Sequence, residues 1–180
     1  NLFMFVITTF YAGELIWRER EARVAQMLDA LPVPSWLPLL SKLLALIGLQ
    51  ALLMLVVMLC GMSIQIAKGY FILEPGLYFQ HLFGILLPGY ALSAVLAIAL
   101  QVLINQRYMA YFVMVVYYLF SIAGSSLGID DPMLVFGNVP TLVYSAMNGY
   151  GHFLPRERWF ELYWAGAALM LVVASLEAPG

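Results

Sequence analysis

The chain has 180 residues, of which 64% are hydrophobic and 10% charged, and its net charge is -2 with histidine neutral. Soluble domains carry about 25% charged residues, so this composition excludes the usual water-facing surface and predicts a membrane protein or a piece of one. A single cysteine, Cys60, excludes a disulfide framework within the chain and, lying in an apolar run, is expected to be a small buried hydrophobe.

The opening stretch, residues 1–12, is too short to cross a membrane alone and reads as the last turns of a span whose beginning is absent. The chain then concentrates charge in residues 13–31, before Pro32 and Pro34. Within this segment Val24, Met27, Leu28 and Leu31 fall at i, i+3, i+4 and i+7, which gives one apolar stripe. Polar and charged residues occupy most of the remaining surface. The spacing predicts an amphipathic helix over 20–31 lying in the membrane interface, stopped by Pro32. Two readings are open for it: a charged loop that only sets topology, or a docking surface for a soluble partner, held between two spans.

Residues 43–64 contain no charge. At 1.5 Å per residue they make roughly 33 Å of helix, enough for a hydrocarbon layer of about 30 Å. With Trp36 and Lys42 placed near the headgroups, the span is expected over about 37–66. A second span is expected over 77–104 and a third over 109–128, joined by so short a link that they form an antiparallel hairpin. A fourth is expected over 156–176, with Trp159, Tyr163 and Trp164 at its interfacial end and an outer loop, 129–155, before it. Open sheet is excluded at membrane depth because its backbone groups would be unsatisfied. The expected fold is therefore all-α: a polytopic transmembrane bundle of four complete crossings and one partial one, with a cytoplasmic interfacial helix.

Lysine and arginine in the connections number five on the side of segment 13–42 and Arg107, against three (Lys68, Arg156, Arg158) on the other. The cluster Arg18, Arg20 and Arg23 directly after an apolar segment places 13–42 in the cytoplasm by the positive-inside rule. The expected location is a cell membrane, the bacterial inner membrane, crossed several times.

Few residues carry polar chemistry inside the spans. Gln50 and Gln101 are the amides within apolar runs, and each needs a hydrogen-bond partner, so both are expected to face the bundle interior. Pro88 and Gly89 interrupt the second span. They read either as a kink or as a break that exposes backbone groups to a substrate or ion. The chain has no H-E-x-x-H zinc motif and no G-x-x-x-x-G-K-[S/T] phosphate loop, so no catalytic residue, metal ligand or cofactor of its own is expected. Nucleic-acid binding is disfavoured because Glu14, Glu19 and Glu21 offset the arginine cluster; lipid headgroups are the simpler electrostatic partner. Ion-coupled transport would need an ionisable group deep within a span, and the apolar cores supply none apart from Glu161 near an end.

Segment 13–47, "GELIWREREARVAQMLDALPVPSWLPLLSKLLALI", resembles the connection between the second and third membrane helices in type-2 exporter-class permeases of ATP-binding-cassette transporters. The matching positions are Glu14, Glu19, Arg20, Glu21, Leu28, Pro32, Val33 and Lys42. Segment 136–155, "FGNVPTLVYSAMNGYGHFLP", resembles the outer loop of the subgroup associated with a zinc aminopeptidase-like domain. The resemblance implies that 20–31 is a coupling helix resting on a cytoplasmic nucleotide-binding ATPase subunit. Glu19, Arg20, Glu21, Arg23, Gln26 and Asp29 would then face the partner, while Val24, Met27, Leu28, Leu31 and Pro32 form the apolar face and stop. ATP and magnesium would sit on that partner, a second permease half would complete the path, and the outer loop would lie over it. The alternative is a non-transporting anchor or scaffold of a membrane-tethered zinc aminopeptidase-like protein.

Overall fold

The computed structural model describes residues 2–21, 34, 36–69, 71, 74–124, 131–140, 150–151 and 154–177. Five long helical segments account for nearly all of them: α1 (Leu2–Glu21), α2 (Trp36–Ala67), α3 (Pro75–Ile104), α4 (Arg107–Ala123) and α5 (Leu154–Glu177). A 3₁₀ turn, Pro132–Leu134, lies between α4 and α5. Among the described residues α2, α3 and α5 are long and apolar enough to cross a membrane. The architecture is that of an all-helical polytopic membrane protein. Helix α4 is apolar but has 17 described residues, about 25 Å at 1.5 Å per residue and the short end of what a crossing needs.

The α1 helix is longer than the opening apolar stretch. It continues through Gly13 into the charged region, and Arg20 and Glu21, expected to open a separate interfacial helix, are instead its last residues. The remainder of that expected helix, with Arg23, Val24, Gln26, Met27, Leu28, Asp29, Leu31 and Pro32, lies outside the described residues.

Each helix buries a stripe set by its own period. On α1 the buried positions are Phe5, Thr8, Thr9, Ala12, Gly13 and Ile16, spaced as one face of a 3.6-residue helix. On α2 they are Leu46, Gln50 and Met54, each four apart. The second half of α3 is the hub and packs on all four other helices. Ala94 and Ala97 from α3 meet Ala12 and Ile16 from α1, Leu46 from α2 and Met114 from α4 in one core. The alanines let the backbones approach closely, which is how helices associate when lipid is as apolar as any side chain. Only 17% of the apolar window of α2 is buried, so most of this helix is left to face lipid or another chain. Cys60, expected to be buried, is exposed on that outward surface, beyond the packed stripe, which ends at Met54.

Where α1 crosses α4, Gly13 lies against the ring of Tyr111. A Cβ there would stand 2.5 Å from Tyr111 Cε1 and Cζ and closer still to its hydroxyl. By contrast, Gly48 on α2 has nothing within 4 Å. Gly48→Ala is expected to raise stability by up to about 1 kcal/mol through helix propensity. Gly13→Ala should give a net loss of about 1 kcal/mol, because overpacking outweighs the same propensity gain. Thermal unfolding in detergent reads both, and adding Tyr111→Ala should recover part of the Gly13→Ala loss. Equal behaviour of the two glycines would contradict this packing.

The interruption at Pro88 and Gly89 does not end the helix. Residues Gln80–Leu86 form a π-helical stretch between the α-helical turns Pro75–Phe79 and Leu87–Ile104, and the Leu87 N–H donates to the Leu82 carbonyl five residues back. Proline lacks an N–H, and its ring crowds the carbonyl four residues earlier. Widening the preceding turns relieves that crowding without breaking the span.

Candidate functional site

Three polar constellations are built on this frame. The first closes the bundle end formed by the C-terminus of α1, the start of α2 and the two-residue link, Asn105 and Gln106, between α3 and α4. Lys42 Nζ lies 2.5 Å from Glu19 Oε2, joining α2 to α1. Arg107 forks between Glu14 Oε2 at 3.0 Å and Glu21 Oε1 at 2.9 Å, two carboxylates that the helix repeat puts seven residues apart on one side of α1. Arg20 donates to Asn105 Oδ1, and its guanidinium lies 5.0 Å from the Trp17 ring centroid. Asn105 terminates α3 in the left-handed region, with φ 52°, which Asn tolerates better than most residues. Glu19, Arg20 and Glu21, read from the sequence as partner-facing, are thus joined to this chain's own helices.

Charge reversal tests the Lys42–Glu19 pair. Lys42→Glu or Glu19→Lys alone is expected to lower stability by about 0.5–1 kcal/mol at low salt, and the double exchange to restore most of it. A melting-temperature cycle repeated at high salt checks this, since screening should shrink the coupling.

The second constellation lies inside the bundle. Gln50 is fully buried and donates from Nε2 to Thr8 Oγ1 at 2.8 Å and to the Tyr90 carbonyl at 3.1 Å. The Thr8 hydroxyl hydrogen is already given to the Met4 carbonyl at 2.8 Å, so toward Gln50 it accepts, and the amide orientation follows. Gln101, also fully buried, accepts from Trp17 Nε1 at 2.7 Å; indole only donates, which again orients the amide. Among the described residues Gln50 Oε1 and Gln101 Nε2 have no partner. The two amides are therefore joined to α1, and Gln50 to α3 as well, without touching each other.

The third constellation caps the opposite bundle end. The Asp131 carboxylate accepts from the Met133 N–H at 2.9 Å and opens the 3₁₀ turn. Val135 is buried, and Gly137, with φ +70°, turns the chain at a conformation that favours glycine. The flanking carbonyls are then taken by the bundle: Phe136 accepts from the Tyr117 hydroxyl at 2.5 Å and Asn138 from Trp164 Nε1 at 3.0 Å. Of the three aromatics expected at the interfacial end of the span, Trp164 is buried against the bundle, with its ring edge-on to Phe136 at 5.2 Å, while Trp159 and Tyr163 are exposed. The reason is helical phase. Glu157, Trp164, Ala168 and Ser175 form the buried stripe of α5, spaced seven, four and seven residues apart. His81 sits in the π-helical stretch with Nδ1 2.9 Å from the Tyr150 hydroxyl. His152 lies outside the described residues. No group of three or more His, Cys, Asp or Glu side chains among the described residues could hold a metal ion.

Beside this cap, Pro88 and Gly89 face different spaces. Gly89 borders a cavity of about 250 Å³ between α1, α3, α4 and the cap, and Glu157 and the aromatic rings of Tyr117 and Tyr118 line it. Pro88 borders a shallower apolar groove between α3 and α5.

Fold and polar contacts together define a multi-pass helical membrane protein with a cross-linked charged end and a capped opposite end. No family model, curated protein or solved structure matches the chain, so its own residues carry the functional reading.

Proposed function

We propose that the chain is the permease part of an ATP-driven exporter of the ATP-binding-cassette class. A cytoplasmic subunit would bind ATP and magnesium, and a second permease half would complete the path. The observation that supports this reading is the ion-paired end of α1. Through Glu14, Glu19, Arg20 and Glu21, the end of α1 is bound to α2 and to the α3–α4 link. A force applied to the amphipathic segment that follows, 22–31, would therefore reach four helices together. The broad outward surface of α2 offers room for the second half.

Photocrosslinkers at positions 26 and 29, used in native membranes, test the proposal. The expected product is an adduct with a P-loop ATPase, changed in yield by ATP with vanadate. Labelling of 20–31 from the far side of the bilayer would overturn it. An anchor or scaffold for a zinc aminopeptidase-like protein is the second reading, favoured by the way Tyr117 and Trp164 fasten the 131–140 segment as a cap. In that case no ATPase adduct forms in membranes that hold the intact assembly.

A further inference from the structure

The cavity bordered by Gly89 has an unusual lining for a space among apolar helices. Glu157 is 2% exposed, and its Oε1 has no hydrogen-bond partner among the described residues. No lysine or arginine among them pairs with it. Its neighbour Arg158 lines the separate groove between α3 and α5, together with Glu161. A buried carboxylate oxygen without a donor is costly, and each such group in a folded protein calls for a partner.

Two hydroxyls of the cavity lining are already committed elsewhere. Tyr117 gives its hydrogen to the Phe136 carbonyl and Ser93 gives its own to the Tyr90 carbonyl at 2.7 Å. With Glu157 Oε1 unpartnered among the described residues, a ligand that brings its own donor would satisfy it. Part of the lining is aromatic: Phe5 and Tyr118 stack with centroids 4.1 Å apart and, with Tyr117, line the same cavity. Aromatic faces attract cations, most strongly where water is excluded. A single carboxylate without further oxygen or nitrogen ligands is a poor set for a metal ion, which needs several. Rings plus one carboxylate suit an organic ammonium instead.

We infer that this cavity is a binding site for an organic ammonium group, with Glu157 as its counter-ion and the Phe5, Tyr117 and Tyr118 rings as its walls. The inference is independent of the transporter reading, since a scaffold with the same cavity would bind the same group.

The test uses the full chain in phosphatidylcholine nanodiscs, whose lipids carry no net charge, with benzylammonium as probe and benzyl alcohol as its neutral counterpart. Saturable calorimetric binding of benzylammonium is expected, with benzyl alcohol about tenfold weaker or more because it lacks the positive charge that pairs with the carboxylate and the aromatic faces. Glu157→Gln, which keeps shape and removes charge, should weaken benzylammonium by a similar factor, and Tyr118→Leu by roughly 3- to 30-fold. Glu161→Gln, in the neighbouring groove, removes a like charge near Glu157 and should not weaken the binding. Absence of saturable binding, equal affinity for the alcohol, or undiminished affinity in a Glu157→Gln protein that melts like the parent would each overturn the site. Loss of binding in Glu161→Gln equal to that in Glu157→Gln would move the ligand to the groove and overturn it too.

Discussion

Trp164→Ala is expected to lower stability by about 3 to 5 kcal/mol, the range for truncating a buried large aromatic. The ring is 7% exposed and packs with Leu92 and Ala168 in a small core of its own, edge-on to Phe136. Its indole N–H holds the Asn138 carbonyl. Truncation therefore opens a cavity between α3 and α5 and also releases one of the two hydrogen bonds that fasten the cap. Trp164→Phe separates these effects: it keeps most of the ring and should cost about 1 to 2 kcal/mol for the lost hydrogen bond and the smaller volume. Trp159→Ala, five residues earlier and 71% exposed, should stay within about 0.5 kcal/mol of the parent. Thermal unfolding in detergent ranks the three, and hydrogen exchange at 135–139 should quicken in Trp164→Ala while α1 amides stay protected. Comparable losses at Trp159 and Trp164 would mean that both rings sit at an interface and that the cap is not fastened to the bundle.

That pair of tryptophans also shows what the sequence makes legible and what it does not. Apolar run length placed the long helices because the bilayer thickness and the helix rise set a minimum that residues 43–64 plainly meet. Composition cannot say which face of such a helix is buried. In a uniformly apolar segment the contrast between faces vanishes, and the phase is set by packing partners. The buried stripe of α5 combines Glu157, Trp164, Ala168 and Ser175, residues that share spacing and not hydropathy, so the burial of Trp164 was not legible, and the buried assignment of Cys60 missed.

Where a polar residue interrupts an apolar run the phase becomes readable. Gln50 and Gln101 mark the interior sides of α2 and α3 for that reason. The charged end was legible as a concentration of acids and bases but not as a set of pairs. Charge counting by segment treats Arg107 as one more topological cation, whereas the hairpin link brings it between Glu14 and Glu21 of a helix more than 80 residues away. The burial of Glu157 was not legible, because one carboxylate near a helix start reads as interfacial and its seven-residue spacing to Trp164 points inward only once Trp164 is known to be buried.

Gln50→Ala is the second substitution with a large expected effect, a loss of about 2 to 3 kcal/mol. Two terms contribute. The first is the pair of hydrogen bonds to Thr8 Oγ1 and the Tyr90 carbonyl, which between membrane helices average about 0.6 kcal/mol each and rarely exceed 2. The second is the volume removed at a point where α1, α2 and α3 meet, which the alanine-rich core on α3 cannot collapse to fill. Gln50→Leu separates them, since it restores most of the volume and also removes Oε1, a buried acceptor without a partner among the described residues. Leucine should therefore cost less than half as much as alanine at this position. Melting of both variants in the same detergent decides the matter: if leucine is as damaging as alanine, the hydrogen bonds and not the packing hold these three helices together. The answer bears on function, because Gln50 joins within the membrane the same α1 and α2 that Glu19 and Lys42 join at the charged end. Two ties, eight residues apart on α2 and eleven apart on α1, make the pair rotate as a rod under load, whereas one tie alone would let α1 pivot.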